Sequence, residues 1–388
     1  MYNFDEVIER KGTNCAKYDG EKAKDPEIIP MWVADMDFET LPEVKEAIIK
    51  RASHGVYGYT MLPEAYYQAV INWMKNRHQF EIEKDWIVTT PGVVTALKLA
   101  VQAYTKQDDA IMVMKPVYYP FDMSIEANHR QVVECPLVFD GESYTCDFDL
   151  FEQKIVEHHV KMFILCNPHN PIGKVWKKEE LLKIGQICQK HHVYVVSDEI
   201  HMDFVYAPHR HVPFYEVDPA FKDFSMICTS PSKTFNLAAL QTSNILIANE
   251  EMRQKFIDTK NACGINDPNV FGIEACIAAY TYGCQWVDEL LAYLQDNIHF
   301  MQDFFQTHLP ELKVISPEGL YLIWVDMRSL NMNKDELETF MLEKAHLWLD
   351  EGYIFGNGGE GFERFNVATS RTTLTKALQQ LEKAIKNR

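Results

Sequence analysis

The chain has 388 residues, of which 47% are hydrophobic and 24% are charged, a composition that is typical of globular proteins and excludes a disordered or fibrous chain. At roughly 150 residues per domain, this length predicts two or three domains with room for a large core. Aspartate and glutamate number 56 against 38 lysine and arginine residues, so the formal net charge is −18. Nucleic acids and anionic membranes would repel such a surface and are excluded as default partners.

The cysteines and the N-terminal region indicate where the protein is found. Nine cysteines are spread along the chain without a Cys-x-x-Cys pair, a pattern that predicts reduced, mostly buried thiols in a reducing compartment. The N-terminal region lacks the apolar core of a signal peptide, and no apolar run approaches the ~20 residues that span a bilayer. We therefore expect a cytoplasmic protein.

Helical and extended segments alternate along most of the chain. Segments 41–53 and 63–80 are predicted helices, because apolar residues recur at helical spacing and a proline stands near each first turn. Further predicted strands are 86–89, 110–114, 161–166, 193–197, 225–229 and 244–248, and further predicted helices are 92–104, 148–158 and 178–191. A long helix near Trp286, an extended segment over 319–326 and a terminal helix after Arg371 follow.

This order of elements predicts an α/β fold. Strands that alternate with helices indicate a mostly parallel sheet in a large domain, with helices on both faces, and the C-terminal elements indicate a smaller α+β domain. We expect residues 1–45 to be an N-terminal segment that joins the small domain, residues 46–285 to be the large domain and residues 286–388 to be the small domain. In such sheets, ligands bind at the carboxyl ends of the strands.

The residues that directly follow the predicted strands are therefore candidate site residues. Gly92 and Val93 open a helix whose backbone N–H groups would suit a phosphate, although a tight turn would also require this glycine. Tyr118 and Tyr119 follow the next strand, with core packing as the alternative. The polar residues after the later strands are Asn170, Asp198, Ser230, Ser232 and Lys233. Together these residues predict one site at one edge of the sheet.

Three of these motifs carry a family resemblance. The Asn-Pro-x-Asn-Pro-x-Gly loop over 167–173, the aspartate after the next strand and Ser-x-Ser-Lys over 230–233 resemble the pyridoxal 5′-phosphate (PLP) enzymes of the aminotransferase class I/II superfamily, fold type I. Within it, segments 31–38, 57–59 and 197–201 resemble the MalY/PatB-type cystathionine β-lyases, also called carbon–sulfur lyases. The resemblance runs from about residue 30 to the C-terminus, and it implies PLP as the cofactor of the large domain.

The resemblance implies a role for each candidate residue. Lys233 would carry PLP as a Schiff base and remove the substrate Cα proton. Asp198 would keep the pyridine nitrogen protonated, Asn170 would donate to the phenolic oxygen, and Tyr118 would stack on the ring. The other implied cofactor contacts are Gly92, Val93, Ser230 and Ser232 at the phosphate, His201 three residues after the aspartate, and Tyr57 or Tyr59 from a neighbouring subunit. That last contact implies a homodimer with shared active sites.

The resemblance also implies substrate contacts. Arg371, in Phe-Asn-Val-Ala-Thr-Ser-Arg, matches the arginine that pairs with the substrate carboxylate, with a surface arginine at the last helix as the alternative. Asp35 in the N-terminal segment is a candidate for selecting the substrate side chain, with exposed capping as the alternative. Tyr119 or a tyrosine of the partner chain would protonate the leaving sulfur, with packing as the alternative.

The implied activity is α,β-elimination on an amino-acid substrate, L-cystathionine or a related cysteine S-conjugate, to give pyruvate, ammonia and a thiol such as homocysteine, as in methionine biosynthesis. The alternative is an aminotransferase that acts on an L-amino acid and a 2-oxo acid. His201 stands where many aminotransferases have tyrosine, and Gln241 stands where many have an arginine for the phosphate. Both differences favour the lyase, but they leave the cationic partner of the phosphate open, as well as the preferred sulfur amino acid and any assembly beyond a dimer.

Other classes of function have weaker support. Ser230 to Lys233 spells the Ser-x-x-Lys nucleophile motif of penicillin-binding proteins, but no Lys-Thr-Gly completes it. Gly356 to Gly361 matches the dinucleotide motif Gly-x-Gly-x-x-Gly, but an extended segment is predicted after it in place of the required helix. The histidines lack the spacing of a metal site, so no metal is expected. A non-enzymatic regulatory or scaffold role is disfavoured, because all the residues of a cofactor site are present and such a role would not use them.

Overall fold

A computed structural model describes residues 2–388 of the chain. The strands are β1 (Ile29–Pro30), β2 (Ile87–Thr90), β3 (Ala110–Lys115), β4 (Gln131–Pro136), β5 (Val138–Phe139), β6 (Tyr144–Thr145), β7 (Met162–Cys166), β8 (Tyr194–Asp198), β9 (Ser225–Thr229), β10 (Ser243–Leu246), β11 (Lys313–Val314), β12 (Leu322–Asp326), β13 (Leu347–Trp348), β14 (Asp350–Glu351) and β15 (Phe362–Asn366). The α-helices are α1 (Ala16–Asp19), α2 (Pro42–Ser53), α3 (Glu64–His78), α4 (Val93–Tyr104), α5 (Pro120–Glu126), α6 (Phe148–Glu157), α7 (Lys178–Lys190), α8 (Pro231–Thr234), α9 (Glu250–Ala262), α10 (Val270–Tyr282), α11 (Cys284–His308), α12 (Lys334–Glu343) and α13 (Arg371–Lys386).

The central sheet has seven strands in the order β2-β10-β9-β8-β7-β3-β4. Neighbours from β9 to β4 pair in parallel, whereas β10 is antiparallel to both β2 and β9. The predicted mostly parallel sheet is therefore confirmed. The sequence pattern missed β4, because this edge strand buries only Val133 and Cys135 and lacks a continuous apolar run.

Helices cover both faces of this sheet, as predicted. Along β3, Ile111 and Val113 pack into one core with α4 and α5, while Met112 and Met114 pack into the other core with α6 and α7. Successive side chains of a strand point to opposite faces, so a strand that is buried throughout contributes to two cores. This continuous burial is why the inner strands read as plain apolar runs in the sequence.

A second, antiparallel sheet has the order β11-β12-β15-β14. The N-terminal segment joins this part of the molecule: β1 pairs in parallel with β13, and the N–H of Asn366 donates to the carbonyl oxygen of Met31 at 2.9 Å. The glycine loop 356–361 is followed by β15 rather than by a helix, so it lacks the context of a dinucleotide site. The boundaries at residues 45 and 285 stay predictions.

Two further sequence predictions can be compared with the fold. Each of the nine cysteines is unpaired; six are buried, one is half-buried and two are exposed, in line with mostly buried thiols. Across residues 2–388, no helix combines the length and the apolar character needed to cross a bilayer.

Candidate active site

One cavity lies at the edge of the sheet where the carboxyl ends of the parallel strands meet. Its lining residues are Ala34, Pro91, Gly92, Val93, Val94, Thr95, Tyr118, Cys166, Asn170, Asp198, Ile200, His201, Ser232, Lys233 and Ala238. The structure therefore brings together most of the residues that the sequence places after strands. Of these lining residues, Ala34 is the one from the N-terminal segment.

Lys233 lies in the short helix α8, which begins directly after β9. Its ammonium group donates a hydrogen bond to the carbonyl oxygen of Ala34 at 2.6 Å. Burial, together with the nearby positive charge of Arg364, lowers the pKa of Lys233 to about 8. A lysine with this pKa has a substantial neutral fraction near neutral pH, so it suits condensation with an aldehyde and later proton transfer.

Asp198 is the last residue of β8 and is 4% exposed. One carboxylate oxygen accepts a hydrogen bond from the backbone N–H of Ile200 at 3.2 Å. Burial raises the pKa of Asp198 to about 7, and among the described residues this carboxylate has no ion-pair partner. A buried acid that forms no salt bridge is suited to face a protonated ring nitrogen, which would provide the paired charge.

Asn170 is held in one orientation by its neighbours. Its side-chain oxygen accepts a hydrogen bond from Arg364 Nη1 at 3.0 Å, which leaves the Nδ2 amide as a donor for a ligand in the cavity. The backbone carbonyl of Asn170 accepts from the N–H of Tyr118 at 3.1 Å, and this bond ties the aromatic wall to the same loop. Burial raises the pKa of Tyr118, so its phenol is neutral at physiological pH.

The helix α4 starts at the cavity. Gly92 precedes it with φ +93°, a backbone conformation that disfavours any side chain, although a Cβ would meet only open space. The N–H groups of the first turn therefore face the cavity at the positive end of a twelve-residue helix. Ser232 adds its hydroxyl to this wall. Ser230 lies behind it: the Ser230 hydroxyl caps α8 and donates to the carbonyl oxygen of Thr242 at 2.6 Å.

His201 lies in the wall of the cavity beside Lys233. It is buried, its ring packs edge-on to that of Tyr321 with centroids 6.0 Å apart, and within residues 2–388 its Nδ1 has no hydrogen-bond partner. Burial and the positive charges of Lys233 and Arg364 move the pKa of His201 well below its ordinary value. The imidazole is therefore neutral and can accept or donate one hydrogen bond to a ligand.

Several other predicted residues lie outside this cavity. Tyr119 packs edge-on to Phe355, with ring centroids 5.9 Å apart. Both carboxylate oxygens of Asp35 are bound by Arg10, at 2.7 and 3.2 Å, so this acid is already paired.

The two tyrosines expected to reach a neighbouring subunit lie at the surface. Tyr57 is 54% exposed and Tyr59 is fully exposed, and the Tyr57 ring is 5.7 Å from that of Phe271. Neither of them contributes to the cavity of its own chain. This position is compatible with a contact to another chain, which stays a prediction.

Arg371 does not line the cavity, so its predicted contact with the substrate carboxylate stays a prediction. It is the first residue of α13, its Nε donates to Asn297 Oδ1 at 2.8 Å, and its guanidinium lies 4.5 Å from the centroid of the Phe300 ring. These contacts attach α13 to α11. The alternative weighed for Arg371, an arginine at the start of the last helix, is compatible with these contacts.

Arg364, which the sequence analysis missed, contacts Asn170, a residue that lines the cavity. It lies in β15, is 2% exposed, and donates to Asn170 Oδ1 and to the carbonyl oxygen of Trp32 at 2.7 Å. Its Nη2 also pairs with the carboxylate of Asp350. The signal available in the sequence was a charged pair, Glu363 and Arg364, between two phenylalanines of a predicted extended segment.

The residues present fit PLP. An aldehyde requires an amine with a lowered pKa, a pyridinium requires a buried anion, and a phosphate requires a helix N-terminus; this cavity presents Lys233, Asp198 and the start of α4 in those roles. The unpaired Asp198 carboxylate is the most specific of these features. Gln241 is exposed and follows α8 in place of a phosphate-binding cation.

Comparisons with known proteins agree with this geometry. The model of the family "Aminotransferase class I and II" matches residues 26–381. The chain is 42% identical to cystathionine beta-lyase PatB of Bacillus subtilis over 99% of this chain and 100% of that protein, and 33% identical to protein MalY of Escherichia coli over 100% and 99%. The structure of cystalysin from Treponema denticola, which contains PLP, superposes with a TM-score of 0.97 at 39% identity, covering 100% of this chain and 99% of that one.

A carbon–sulfur lyase supports the same conclusion. The PLP-bound C-S lyase from Staphylococcus hominis superposes with a TM-score of 0.94 at 35% identity, covering 99% of this chain and 98% of that chain. The predicted fold type and the PLP cofactor are thereby confirmed. The chain belongs to the aminotransferase class I and II family of PLP-dependent enzymes and, within it, to the group of carbon–sulfur β-lyases that contains PatB.

Proposed function

We propose that this enzyme cleaves the Cβ–S bond of L-cystathionine or a related cysteine S-conjugate and releases pyruvate, ammonia and a thiol. The observation that carries the proposal is the position of Lys233, a lysine with a pKa of about 8, in one cavity with the unpaired acid Asp198 and beside the buried Arg364. The names of PatB and of the C-S lyases support the sulfur-containing substrate.

The chain supplies proton transfer and charge. When bound, PLP provides an electron sink that accepts the electron pair left on the substrate Cα. Asp198 holds the proton on the ring nitrogen by its negative charge, which keeps this sink strong. The Lys233 amine is the base that removes the Cα proton, because its lowered pKa makes the neutral form accessible at physiological pH. The carbonyl oxygen of Ala34, 2.6 Å from Nζ, holds the amine when it is protonated.

Arg364 is the proposed partner of the substrate carboxylate. Its guanidinium is buried, it contacts Asn170 beside the cofactor cavity, and its Nε has no hydrogen-bond partner in the described part of the chain. A planar guanidinium binds both oxygens of a carboxylate at once, and this geometry would orient the Cα–H bond toward Lys233.

The leaving sulfur needs a proton, and Tyr119 is the proposed donor, with a tyrosine of a partner chain as the alternative source. Burial, followed by the charge of Asp350, raises the pKa of Tyr119, so its phenol is protonated at physiological pH. A phenylalanine at this position would keep the contact with Phe355 and remove the proton. Tyr119→Phe should therefore slow elimination of a poor thiolate leaving group more than that of a good one.

We also propose that the enzyme is a homodimer with shared sites. Val56, Tyr57, Tyr59 and Met61 form an exposed apolar segment, with exposed fractions between 54% and 112%, and large exposed apolar patches mark interaction sites. Tyr57 or Tyr59 would reach the phosphate of the partner's cofactor. The unpaired cysteines support the proposal that the enzyme works in the reducing cytoplasm.

The test of the proposed function is product analysis with purified enzyme and L-cystathionine in the absence of any 2-oxo acid. We expect stoichiometric pyruvate, ammonia and homocysteine. Amino transfer from L-cystathionine to added 2-oxoglutarate, without pyruvate formation, would instead identify an aminotransferase. Lys233→Ala is the matched control, because any product that persists in this variant does not come from the proposed site.

A further inference from the structure

Asp350 lies directly beside the proposed carboxylate-binding arginine. It is the first residue of β14, which pairs antiparallel with β15 so that the Cα of Asp350 is opposite that of Arg364. Asp350 is 4% exposed, and its Oδ2 accepts a hydrogen bond from Arg364 Nη2. A side-chain carboxylate therefore already binds the group that is expected to bind the carboxylate of the substrate.

The geometry of the guanidinium makes this contact important. Of its five N–H bonds, both of those on Nη2 are used, one by the carbonyl oxygen of Trp32 at 2.7 Å and one by Asp350, and Nη1 donates to Asn170. A carboxylate that binds both of its oxygens to a guanidinium uses either the Nε/Nη2 edge or the Nη1/Nη2 edge. Both edges include Nη2, so two-point binding of a substrate requires one present partner of Nη2 to leave.

Of these two partners, Asp350 is the one that can move. The Trp32 carbonyl belongs to a backbone that is held on both sides: the N–H of Met31 donates to the carbonyl oxygen of Trp348 at 2.7 Å, and Asn366 Nδ2 donates to that of Val33 at 2.7 Å. Asp350 holds Nη2 only through a side chain, which can change its rotamer without moving the backbone.

Among the described residues, Arg364 is the only cation that forms an ion pair with Asp350. The adjacent acids Glu351 and Glu338 share one cation, Lys22, at 2.9 and 2.7 Å. Glu363 is buried beside them, and burial together with the charges of Glu351 and Asp350 raises its pKa well above its usual range. A carboxylate released from Arg364 would lose its hydrogen-bonded cation, and the nearby Lys22 is already paired with Glu351 and Glu338, so the displacement costs free energy.

We propose that Asp350 is an internal competitor for Arg364, which occupies the carboxylate site in the free enzyme and is displaced when the substrate carboxylate binds. This inference rests on the proposed role of Arg364 in substrate binding. Its consequence for specificity is that a bare carboxylate binds weakly. Only ligands that add further contacts in the site, such as an amine that condenses at the cofactor, can offset the cost of moving Asp350.

The test is the binding of 3-(methylthio)propanoate to the holoenzyme, measured by isothermal titration calorimetry. This probe has the carboxylate and the thioether of a substrate but no amine, so it reports carboxylate binding without reaction. In Asp350→Asn the amide can still accept from Nη2, but the competing charge is gone. We expect the dissociation constant to fall about tenfold, in line with the strength of one charge-assisted hydrogen bond. Asp350→Ser, whose shorter side chain withdraws from Nη2, should shift it in the same direction.

Glu351→Gln is the matched control. Glu351 is the next residue in the chain and carries the same charge as Asp350, but it pairs with Lys22 rather than with Arg364. We expect its dissociation constant to stay within about twofold of the wild type. Weaker or unchanged binding in both Asp350 variants would overturn the proposal. Equal tightening in Glu351→Gln would also overturn it, because the effect would then be a general one of net charge.

The binding experiment also separates this inference from the proposed function. Arg364→Gln should abolish binding of the probe if the arginine binds carboxylates, and this result does not depend on turnover. If the wild type forms no pyruvate from L-cystathionine but Asp350→Asn still tightens binding, the lyase proposal fails and the role of Asp350 stands. If pyruvate forms and the Asp350 variants bind the probe no more tightly, the lyase proposal stands and the role of Asp350 fails.

Discussion

The two sides of the active site are built in different ways. On the large-sheet side, Asn170, Asp198 and Lys233 lie at or just after the ends of neighbouring parallel strands, on a frame of continuous backbone hydrogen bonds. On the opposite side, Arg364 and Asp35 belong to elements that are distant in sequence; Arg364 is held by a buried pair with Asp350, and Asp35 by a half-buried pair with Arg10. The first side depends on strand topology, and the second depends on charge pairs, one within the N-terminal segment and one within the small sheet.

This difference has a functional meaning. Groups on strand ends keep a fixed geometry, which suits the residues that contact the cofactor. Side-chain ion pairs can exchange partners, which suits a side that must receive and release a substrate carboxylate. Variants on the two sides should therefore differ in the kinetic parameter that they change.

The largest effect is expected on the strand-end side. Lys233→Ala removes the base and the amine that holds the cofactor, so pyruvate formation should fall by about 10³-fold or more. The measurement is pyruvate release at saturating L-cystathionine, together with the visible absorbance of bound PLP. Lys255→Ala, on the exposed face of α9, is the control and should be unchanged. A Lys233→Ala enzyme with the wild-type rate would rule out the assignment.

Asp198 should determine how the stability of the apoprotein depends on pH. Its pKa is raised from 3.8 to about 7 in the fold, so the folded state binds this proton more tightly than the unfolded state. The resulting stabilisation is present below about pH 4 and is lost as the pH rises through about 7, a change of roughly 4 kcal/mol.

Urea unfolding of PLP-free protein at several pH values measures this effect. Asp198→Asn removes the titrating group, so the variant should lose that part of the pH dependence between pH 4 and pH 7. Groups elsewhere titrate equally in both proteins and cancel in the difference. Parallel pH profiles for the two proteins would contradict the prediction.

Arg364 and Arg371 provide a direct comparison of two arginines seven residues apart. Arg364→Gln should lower kcat/KM by about 10- to 100-fold, mostly through KM, because a charged hydrogen-bond partner of the substrate is lost. Arg371→Gln should leave kcat/KM within about twofold and lower the free energy of unfolding by ~1 kcal/mol, since it removes the contacts to Asn297 and Phe300. The opposite ranking would restore Arg371 as the substrate residue.

The smallest effect is expected at the N-terminal segment. Arg10 pairs with both Asp35 and Asp37, and Lys17 also pairs with Asp37 at 3.0 Å. Arg10→Ala should raise KM a few-fold, because the segment that carries Ala34 becomes less well held, and should lower stability by about 1–2 kcal/mol. Lys11→Ala, one residue away, is the control. An unchanged KM in Arg10→Ala would show that the segment is positioned without this pair.

The pH dependence of that pairing has the opposite sign from that of Asp198. Lys17 and Arg10 hold the pKa of Asp37 below its usual value despite burial. The stability contributed by Asp37 is therefore present at neutral pH and is lost as the pH falls through its lowered pKa. Acid unfolding curves of the wild type and of Asp37→Asn should converge at low pH.

Much of the strand-end side was predictable because the information is local. A buried strand appears in the sequence as an apolar run, and the residue that follows it lies at the carboxyl end of that strand. In a parallel sheet, the carboxyl ends of neighbouring strands lie at the same edge of the sheet. Asn170, Asp198 and Lys233 were found in this way, and the structure places all three at one cavity. The strand β10 was predicted over 244–248, but its antiparallel direction and the edge strand β4 were not, because strand direction and edge position leave no clear local signal.

The sequence by itself determined the α/β class, the order of the strands and helices and the residues at the strand ends, since each depends on local periodicity. Only the tertiary structure shows which arginine contacts a residue of the cavity. Arg364 and Arg371 both follow the glycine loop, but the register of β15 directs one into the charged pocket of Asn170 and Asp350, while Asn297 of α11 binds the other. The direction of each arginine side chain depends on partners outside its own strand or helix, Asn170 at 194 residues from Arg364 and Asn297 at 74 residues from Arg371, and no local pattern encodes them.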